Sequence, residues 1–140
     1  MSADFFDTNV ILYLLDHGEK ADTAERLLSG GGVVSVQVLN ETLVNCIRKG
    51  GMTWEEAGEF LSGIRQLCRV VDVTSEIHDV GRAVGERYGF SVYDAMIVAA
   101  ALVAGSTVLY SEDMQNGMIV GEKLSIVNPF AGRSSERGEP

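Results

Sequence analysis

The sequence has few cysteines, few prolines and no long hydrophobic run, and each shortage argues against a class of protein. Two cysteines in 140 residues, without zinc-finger spacing, argue against a Cys-based metal finger. We predict that Cys46 and Cys68 lie in helical segments, as small core residues of a protein in a reducing compartment. Two prolines exclude a proline-rich scaffold. No stretch approaches the ~20 apolar residues that a membrane-spanning helix requires.

Basic residues are also scarce, with 11 Lys and Arg against 20 Asp and Glu and a net charge of -9. Bulk electrostatic binding of nucleic acid depends on the number of phosphates that Lys and Arg neutralise. Any contact with nucleic acid must therefore be local, through carboxylates around divalent cations or through a basic partner. The first nine residues carry acids where a secretory signal carries Lys or Arg, so we expect a cytoplasmic protein.

What the sequence does have is an alternation of short apolar strands and helical segments. Its 46% hydrophobic and 22% charged residues are typical of a globular protein of one domain. The alternation predicts an α/β fold, a three-layer sandwich in which helices flank a short parallel sheet. We predict strands at 4–7, 33–35, 69–73, 107–110 and 124–127, and helices at 8–15, 21–28, 35–49, 53–67, 75–88 and 91–104. We predict a single domain over residues 1–130 and a disordered polar tail over residues 131–140.

Two aspartates are expected at the edge of the sheet where ligands bind. Asp7 directly follows the first strand, and Asp113 follows the fourth strand after Ser111 and Glu112. In parallel α/β sheets, ligands bind at the carboxyl ends of the strands. Each residue also has a simpler interpretation, Asp7 as a helix N-cap and Asp113 as an ordinary turn residue.

Asp94 stands at the start of the most apolar helix of the chain. Ser91 and Asp94 have the spacing of a capping box, which is the simpler interpretation. Residues 95–104 include no polar side chain, so this helix is predicted to be buried on all sides. A carboxylate at the head of such a helix is costly, and the helix N-terminus offsets only ~0.3–1 kcal/mol. A bound cation would offset more of the cost of burying this carboxylate.

Glu41 has the weakest pattern of the candidate acids. It lies on the same side of its predicted helix as Asn45 and Arg48, away from an apolar stripe. That stripe consists of Val36, Leu39, Leu43 and Ile47. The simpler interpretation of Glu41 is therefore a solvated glutamate paired to Asn45 or Arg48.

Clustered carboxylates without Cys or His favour hard cations, Mg²⁺ or Mn²⁺. Two such ions ~3.5–4 Å apart clamp the attacking water and the leaving oxygen of an in-line phosphoryl displacement. His17 is predicted in a turn and His78 on a helix among acids, and no motif places a nucleophile beside either. The sequence therefore does not support Ser/His/Asp or Cys/His catalysis.

Five stretches of the chain, taken in order, resemble the PIN-domain nucleases, and within them the VapC-type toxins of toxin–antitoxin pairs. The stretches are FDTNVI (6–11), SVQVLNE (35–41), YGFSVYDAMIVAAA (88–101), LYSEDMQNG (109–117) and IVNPF (126–130). The resemblance implies an endoribonuclease that depends on Mg²⁺ or Mn²⁺, with catalytic residues Asp7, Glu41, Asp94 and Asp113. It also implies metal ligation by Asp7, Asp94 and Asp113, supported by hydrogen bonds from Thr8 or Asn9 and from Ser111.

The resemblance further implies partners and leaves one question about the metal. It implies an RNA substrate, a cognate antitoxin that inserts a basic residue into the acidic pocket, and a homodimer. We expect the dimer surface on the exposed parts of helices 10–15 and 54–61. Related sequences often have an aspartate where this one has Asn116, so tight binding of a second ion is in question.

Other interpretations fit the sequence less well. A haloacid-dehalogenase phosphatase needs a second Asp two residues after the first, where this chain has Asn9. A phosphoacceptor receiver domain needs an acidic neighbour of Asp7, and there is none. A PIN-domain RNA-processing nuclease outside a toxin–antitoxin pair, and a non-catalytic binding module of the same fold, stay open as alternatives.

Overall fold

Six short strands and six α-helices make up most of residues 3–131, the part of the chain that this computed structural model describes. The strands are β1 (Phe5–Phe6), β2 (Gly32–Ser35), β3 (Cys68–Val71), β4 (Val108–Tyr110), β5 (Ile119–Val120) and β6 (Leu124–Val127). The helices are α1 (Thr8–Leu12), α2 (Glu19–Ser29), α3 (Val36–Arg48), α4 (Trp54–Leu67), α5 (Ser75–Tyr88) and α6 (Val92–Val103), and a 3-10 helix at Tyr13–Leu15 continues α1. The predicted α/β class is confirmed. The predicted tail lies outside the described residues, except for Ala131.

The strands form one sheet in the order β3-β2-β1-β4-β6-β5, parallel except for β5. From β1 the chain builds outward through β2 to β3, and then crosses to the other side of β1 to form β4. The strand order therefore reverses between β1 and β4, where Phe6 pairs with Tyr110. Ligands of open α/β sheets bind beyond the carboxyl ends of the strands at such a reversal. Asp7 and Ser111 follow β1 and β4 at this point.

Helix starts depend on capping residues that the sequence indicates. The Ser35 hydroxyl accepts a hydrogen bond from a backbone N–H in the first turn of α3. Thr53 and Glu56 form a reciprocal capping box at the start of α4. The Ser91 hydroxyl accepts from the Asp94 N–H at 3.4 Å. These contacts satisfy backbone donors that a helix start leaves unpaired, and they fix where α3, α4 and α6 begin.

The core lies between the sheet and the helices, and α6 packs against α5, β2 and β4. In α6, Ala95 and residues 97–101 are buried, as its apolar composition predicts, whereas Val103 at its end is exposed. The expected burial on all sides therefore holds only for the middle of the helix. Among residues 3–131, no helix combines the length and the hydrophobicity needed to cross a bilayer.

One local prediction is wrong, and one strand was not predicted. Cys68 is buried and free of any disulfide, like Cys46, but it begins β3 rather than lying in a helix. The β-branched Val70 and Val71 that follow it favour the extended backbone. At the other edge of the sheet, the two-residue strand β5 has no counterpart in the prediction and runs antiparallel to β6. So short a strand shows no alternation of apolar residues, which is the signal that predicts strands.

Gly32 begins β2 at a close approach to β1. A Cβ at position 32 would overlap the Phe6 ring and lie 2.8 Å from the Asp4 carbonyl oxygen. Phe6 is buried and stacks on Tyr110, so its ring has little room to move. We expect Gly32→Ala to lower the free energy of unfolding by about 2–3 kcal/mol, measured by urea denaturation.

Gly58→Ala in α4 is the matched control, because nothing lies within 4 Å of a Cβ added there. An alanine at an open helical position is expected to raise the free energy of unfolding by about 0.5–1 kcal/mol. A small effect of the same sign from both substitutions would contradict the close approach of β1 and β2.

Candidate active site

Asp7 lies at the carboxyl end of β1 and has only 4% of its surface exposed. It is the N-cap of α1, and its Oδ1 accepts from the Thr8 N–H at 2.7 Å. Its Oδ2 accepts from the Ser111 hydroxyl at 2.7 Å and from the Asn9 amide at 3.2 Å. The helix-cap interpretation is therefore correct, and the second oxygen is directed at the residue that follows β4.

Asn9 joins Asp7 to Asp113 across the edge of the sheet. Its amide nitrogen donates to Asp7 Oδ2 and, at 3.1 Å, to Asp113 Oδ2. Its amide oxygen accepts from the Glu112 N–H at 3.0 Å. One amide side chain therefore connects acids that follow two different strands, which gives the expected supporting role of Asn9 a geometric basis.

Glu41 reaches the same edge from α3, so the simpler interpretation, a solvated glutamate paired through its carboxylate to Asn45 or Arg48, does not hold. Its Oε1 accepts from the Thr8 hydroxyl at 2.7 Å, and its Oε2 accepts from the Gln37 amide at 2.9 Å. Asn45, one of the two predicted partners, donates instead to the Glu41 backbone carbonyl at 2.8 Å.

The helix pattern misjudges the position of Glu41 because a polar residue of α3 lies in the core. Thr42 is fully buried, because its hydroxyl donates to the Val38 carbonyl at 2.7 Å and so needs no solvent. The buried face of α3 is therefore centred on Val38, Thr42 and Cys46, and the predicted apolar stripe is only half-buried. This rotation brings Glu41 to the margin of the buried face.

Asp94 approaches the site from the first turn of α6, where its carboxylate is half-buried. Gln37 links this turn to α3, because the amide that donates to Glu41 also donates to the Tyr93 carbonyl oxygen at 3.0 Å. The start of α6 and the first half of α3 therefore form adjacent walls of one site.

The surroundings of Asp7 oppose the ionisation of its carboxyl group. Burial raises the pKa of Asp7 from 3.8 to about 6. The hydrogen bonds from Ser111 and Thr8 work against this rise, and the charges of Asp94 and Glu41 add to it. Asp7 is therefore near enough to both acids to be affected by their charges.

Asp94 is affected in the same way. Burial raises its pKa, the Ser91 hydroxyl lowers it, and the charges of Glu41 and Asp113 raise it. Among residues 3–131, no Lys, Arg or His forms an ion pair with any of the four acids. The four carboxylates are thus a negative cluster that no described cationic side chain neutralises.

The donor set suits a hard divalent cation. All four groups offer carboxylate oxygens, which Mg²⁺ and Mn²⁺ prefer. A cation would also favour the ionised forms of Asp7 and Asp94, which burial disfavours. Within residues 3–131, however, no three Asp, Glu, His or Cys side chains are already gathered as metal ligands. Binding an ion therefore requires the carboxylates to come closer together than they are in this structure.

A second polar network, which no local sequence pattern indicates, supports the loop after β4. Lys20 donates to Glu112 Oε2 at 2.6 Å, and the Tyr13 hydroxyl donates to Glu112 Oε1 at 2.7 Å. The Tyr13 ring packs edge-on against Phe130. Because the Glu112 N–H donates to Asn9, this network fixes the loop that carries one of the four acids.

Asn116 directs its amide oxygen at the backbone. That oxygen accepts from the Asn128 N–H at 2.8 Å and so joins the loop after β4 to the segment after β6. The weaker binding of a second ion that we expect from Asn116 stays a prediction.

Comparison with known proteins places this site in a family. A family model described as PIN domain matches residues 5–115, which include all four carboxylates. No curated protein matches the sequence.

Solved structures share the fold at low sequence identity. A toxin–antitoxin complex from Klebsiella pneumoniae is similar with a TM-score of 0.69 and 18% identity, over 91% of this chain and 98% of that chain. DNA-bound VapBC from Salmonella typhimurium is similar with a TM-score of 0.68 and 19% identity, over 92% and 99%. Mycobacterium tuberculosis VapC20, a sarcin–ricin loop cleaving toxin, is similar with a TM-score of 0.64 and 24% identity, over 79% and 90%. Similarity at this level of identity establishes the fold alone.

Proposed function

Because this chain belongs to the PIN domain family, we propose that it is a metal-dependent endoribonuclease that acts as the toxin of a toxin–antitoxin pair. The observation that carries the proposal is the cluster of Asp7, Glu41, Asp94 and Asp113 at the reversal of strand order. A negative cluster that no described cationic side chain neutralises costs stability, and such a cost is typical of a functional site. A divalent cation would remove that cost and attract an RNA phosphate.

The positions of the acids suggest their roles. Asp7 and Asp94 are the most direct ligands for Mg²⁺ or Mn²⁺, and Asp113 completes the ligand set. We assign Glu41, which accepts a hydrogen bond from Thr8, the role of orienting the attacking water. A bound ion polarises the phosphate and lowers the pKa of the water that attacks it. The chain's own contribution is to hold these oxygens at one edge of the sheet and to favour the ionised form of Asp7 through the hydrogen bonds from Ser111 and Thr8.

The toxin role is supported by structural relatives and by charge. The similar structures include a toxin–antitoxin complex, DNA-bound VapBC and a toxin that cleaves the sarcin–ricin loop. A chain with a net charge of -9 is better suited to a basic protein partner than to bare RNA. We therefore propose an antitoxin that places a basic residue among the carboxylates, a homodimeric toxin, and a cytoplasmic location.

Removal of divalent cations is expected to abolish activity. Without an ion, the carboxylates repel the RNA phosphate and no group activates the water, so cleavage in EDTA should fall to the uncatalysed background. Mn²⁺ or Mg²⁺ added after removal of the chelator should restore it. The measurement is cleavage of a labelled single-stranded RNA by the purified chain. Cleavage that persists in EDTA would refute the metal mechanism.

The same assay separates the two alternatives that share the fold. A non-catalytic binding module would cut no RNA with any metal ion. A processing nuclease outside a toxin–antitoxin pair would cut RNA, but the product of a neighbouring gene would not inhibit it. A short upstream reading frame that encodes a DNA-binding N-terminus and a basic, amphipathic C-terminal segment would support the toxin role.

A further inference from the structure

A pocket of about 650 Å³ lies beside the carboxylates, between α3 and the start of α6. Its volume is within the range of ~300–1,000 Å³ that is typical of small-molecule sites. Building on the proposed nuclease function, we propose that this pocket binds the base of the RNA nucleotide next to the bond that is cut. The pocket would then determine the cleavage sequence.

The pocket is continuous with the carboxylate cluster through Glu41. One oxygen of Glu41 binds Thr8 at the cluster, and the other binds Gln37, which lines the pocket. Only one side chain therefore separates the two sites. An RNA strand whose phosphate lies at the carboxylates brings a neighbouring base to the pocket.

Three amide side chains line the pocket, and the orientation of two of them is fixed. The Gln37 nitrogen donates to two oxygens, those of Glu41 and Tyr93, so its amide oxygen is left as an acceptor. The Asn45 side-chain nitrogen donates to the Glu41 backbone carbonyl, which leaves the Asn45 amide oxygen as an acceptor too. The Asn40 side chain is exposed and forms no hydrogen bond with the described residues.

Amides of this kind recognise the edges of unstacked bases. An amino group offers two N–H donors to the acceptor oxygens of Gln37 and Asn45, and adenine, cytosine and guanine each carry one. Uracil offers only the single N3–H donor. Asn40 adds both a donor and an acceptor. We therefore expect a preference for an amino-bearing base over uracil at one position beside the cleaved bond.

The remaining lining suits a base and not a phosphate. Tyr93 is 70% exposed and Val44 is 47% exposed, so an aromatic and an aliphatic surface are open to stacking. The lining residues include no Lys or Arg, and Glu41 is the one charged group among them. An apolar side chain of a protein partner would cover Tyr93 and Val44 but would leave the amide oxygens of the pocket without a donor.

The experiment is cleavage of a single-stranded RNA pool with randomised bases, followed by sequencing of the cut ends. The unmodified chain should prefer an amino-bearing base at one position by about tenfold or more, the discrimination of one well-formed amide–base contact. Asn40→Ala and Tyr93→Ala should each remove most of that preference, because cleavage of the preferred sequences should fall towards that of the poorest. Gln66→Ala on α4 and Ile119→Ala on β5, which remove an exposed amide and an exposed apolar side chain outside the pocket, are the matched controls and should leave the preference intact.

A second readout does not depend on cleavage. In the Asp94→Asn chain, the ¹⁵N side-chain amide signals of Gln37, Asn40 and Asn45 should shift on titration with AMP, CMP or GMP, and less with UMP. RNA cleavage without a base preference, or with one that Asn40→Ala and Tyr93→Ala leave unchanged, would overturn the pocket and leave the nuclease proposal standing. Absence of cleavage with shifted amide signals would overturn the nuclease proposal and leave a nucleotide site. Absence of both cleavage and shifted amide signals would overturn the nuclease proposal and the base pocket. Pocket variants that weaken only the binding of a protein partner would assign the pocket to that partner.

Discussion

Asp94→Asn is expected to reduce RNA cleavage by about 10²–10³-fold. The Asp94 carboxylate is held beside Glu41 and Asp113 at the head of α6, where like charges and burial oppose its ionisation. An amide carries no negative charge and therefore binds a divalent cation weakly. The loss of several kcal/mol of transition-state stabilisation corresponds to about 10²–10³-fold in rate.

The fold is expected to survive this substitution. Asparagine keeps the backbone N–H that Ser91 caps, and position 94 is only half-buried. The measurement is kcat/KM at saturating Mn²⁺, together with thermal unfolding followed by circular dichroism. Asp79→Asn on an exposed face of α5 is the matched control and should change neither quantity. Unchanged cleavage with the same dependence on Mn²⁺ would remove Asp94 from the site.

Asp7→Asn is expected to remove activity and to increase stability at neutral pH. Because the pKa of Asp7 in the folded chain is about 6 and its ordinary value is 3.8, the folded state binds the proton more tightly than the unfolded state. The stability that protonation provides is therefore complete below about pH 3.8 and is lost as the pH rises through about 6. At about 1.4 kcal/mol for each tenfold change in proton affinity, the ionised carboxylate costs the fold roughly 3 kcal/mol at neutral pH.

Asparagine at position 7 is neutral at every pH but does not accept hydrogen bonds through its nitrogen. We therefore expect a gain of only about 1–2 kcal/mol in the free energy of unfolding at about pH 7.5, shrinking as the pH falls below about 6. Urea unfolding of both chains in EDTA, across this pH range, measures the difference. A variant that is less stable at about pH 7.5, or a difference that is independent of pH, would contradict the cost assigned to Asp7.

Much of the fold is predictable from the sequence because its signals are local. Ser35, Thr53 and Ser91 each cap the helix that follows, so the starts of α3, α4 and α6 are visible in a few residues. The edge strand β5 is not visible in the sequence, because its two residues are stabilised by pairing with β6 and show no periodicity of their own. Cys68 shows the same limit, since the boundary between α4 and β3 is set by pairing with β2.

The positions of two candidate acids are predictable because each acid follows a strand. Asp7 and Asp113 lie at strand ends, so topology alone brings them to one edge of the sheet. Glu41 was not predictable from its helix pattern, because a buried Thr42 rotates the inward face of α3. The bridge that Asn9 forms between two acids depends on contacts between distant segments, which periodicity does not report.

The position of a bound Mn²⁺ ion, located by anomalous scattering in crystals of the full chain, tests the central claim most directly. The account predicts an anomalous peak at the carboxyl ends of β1 and β4, with carboxylate oxygens of Asp7 and Asp94 about 2.1–2.3 Å from the ion. A peak coordinated elsewhere, or no peak at millimolar Mn²⁺, would show that these acids do not form a metal site.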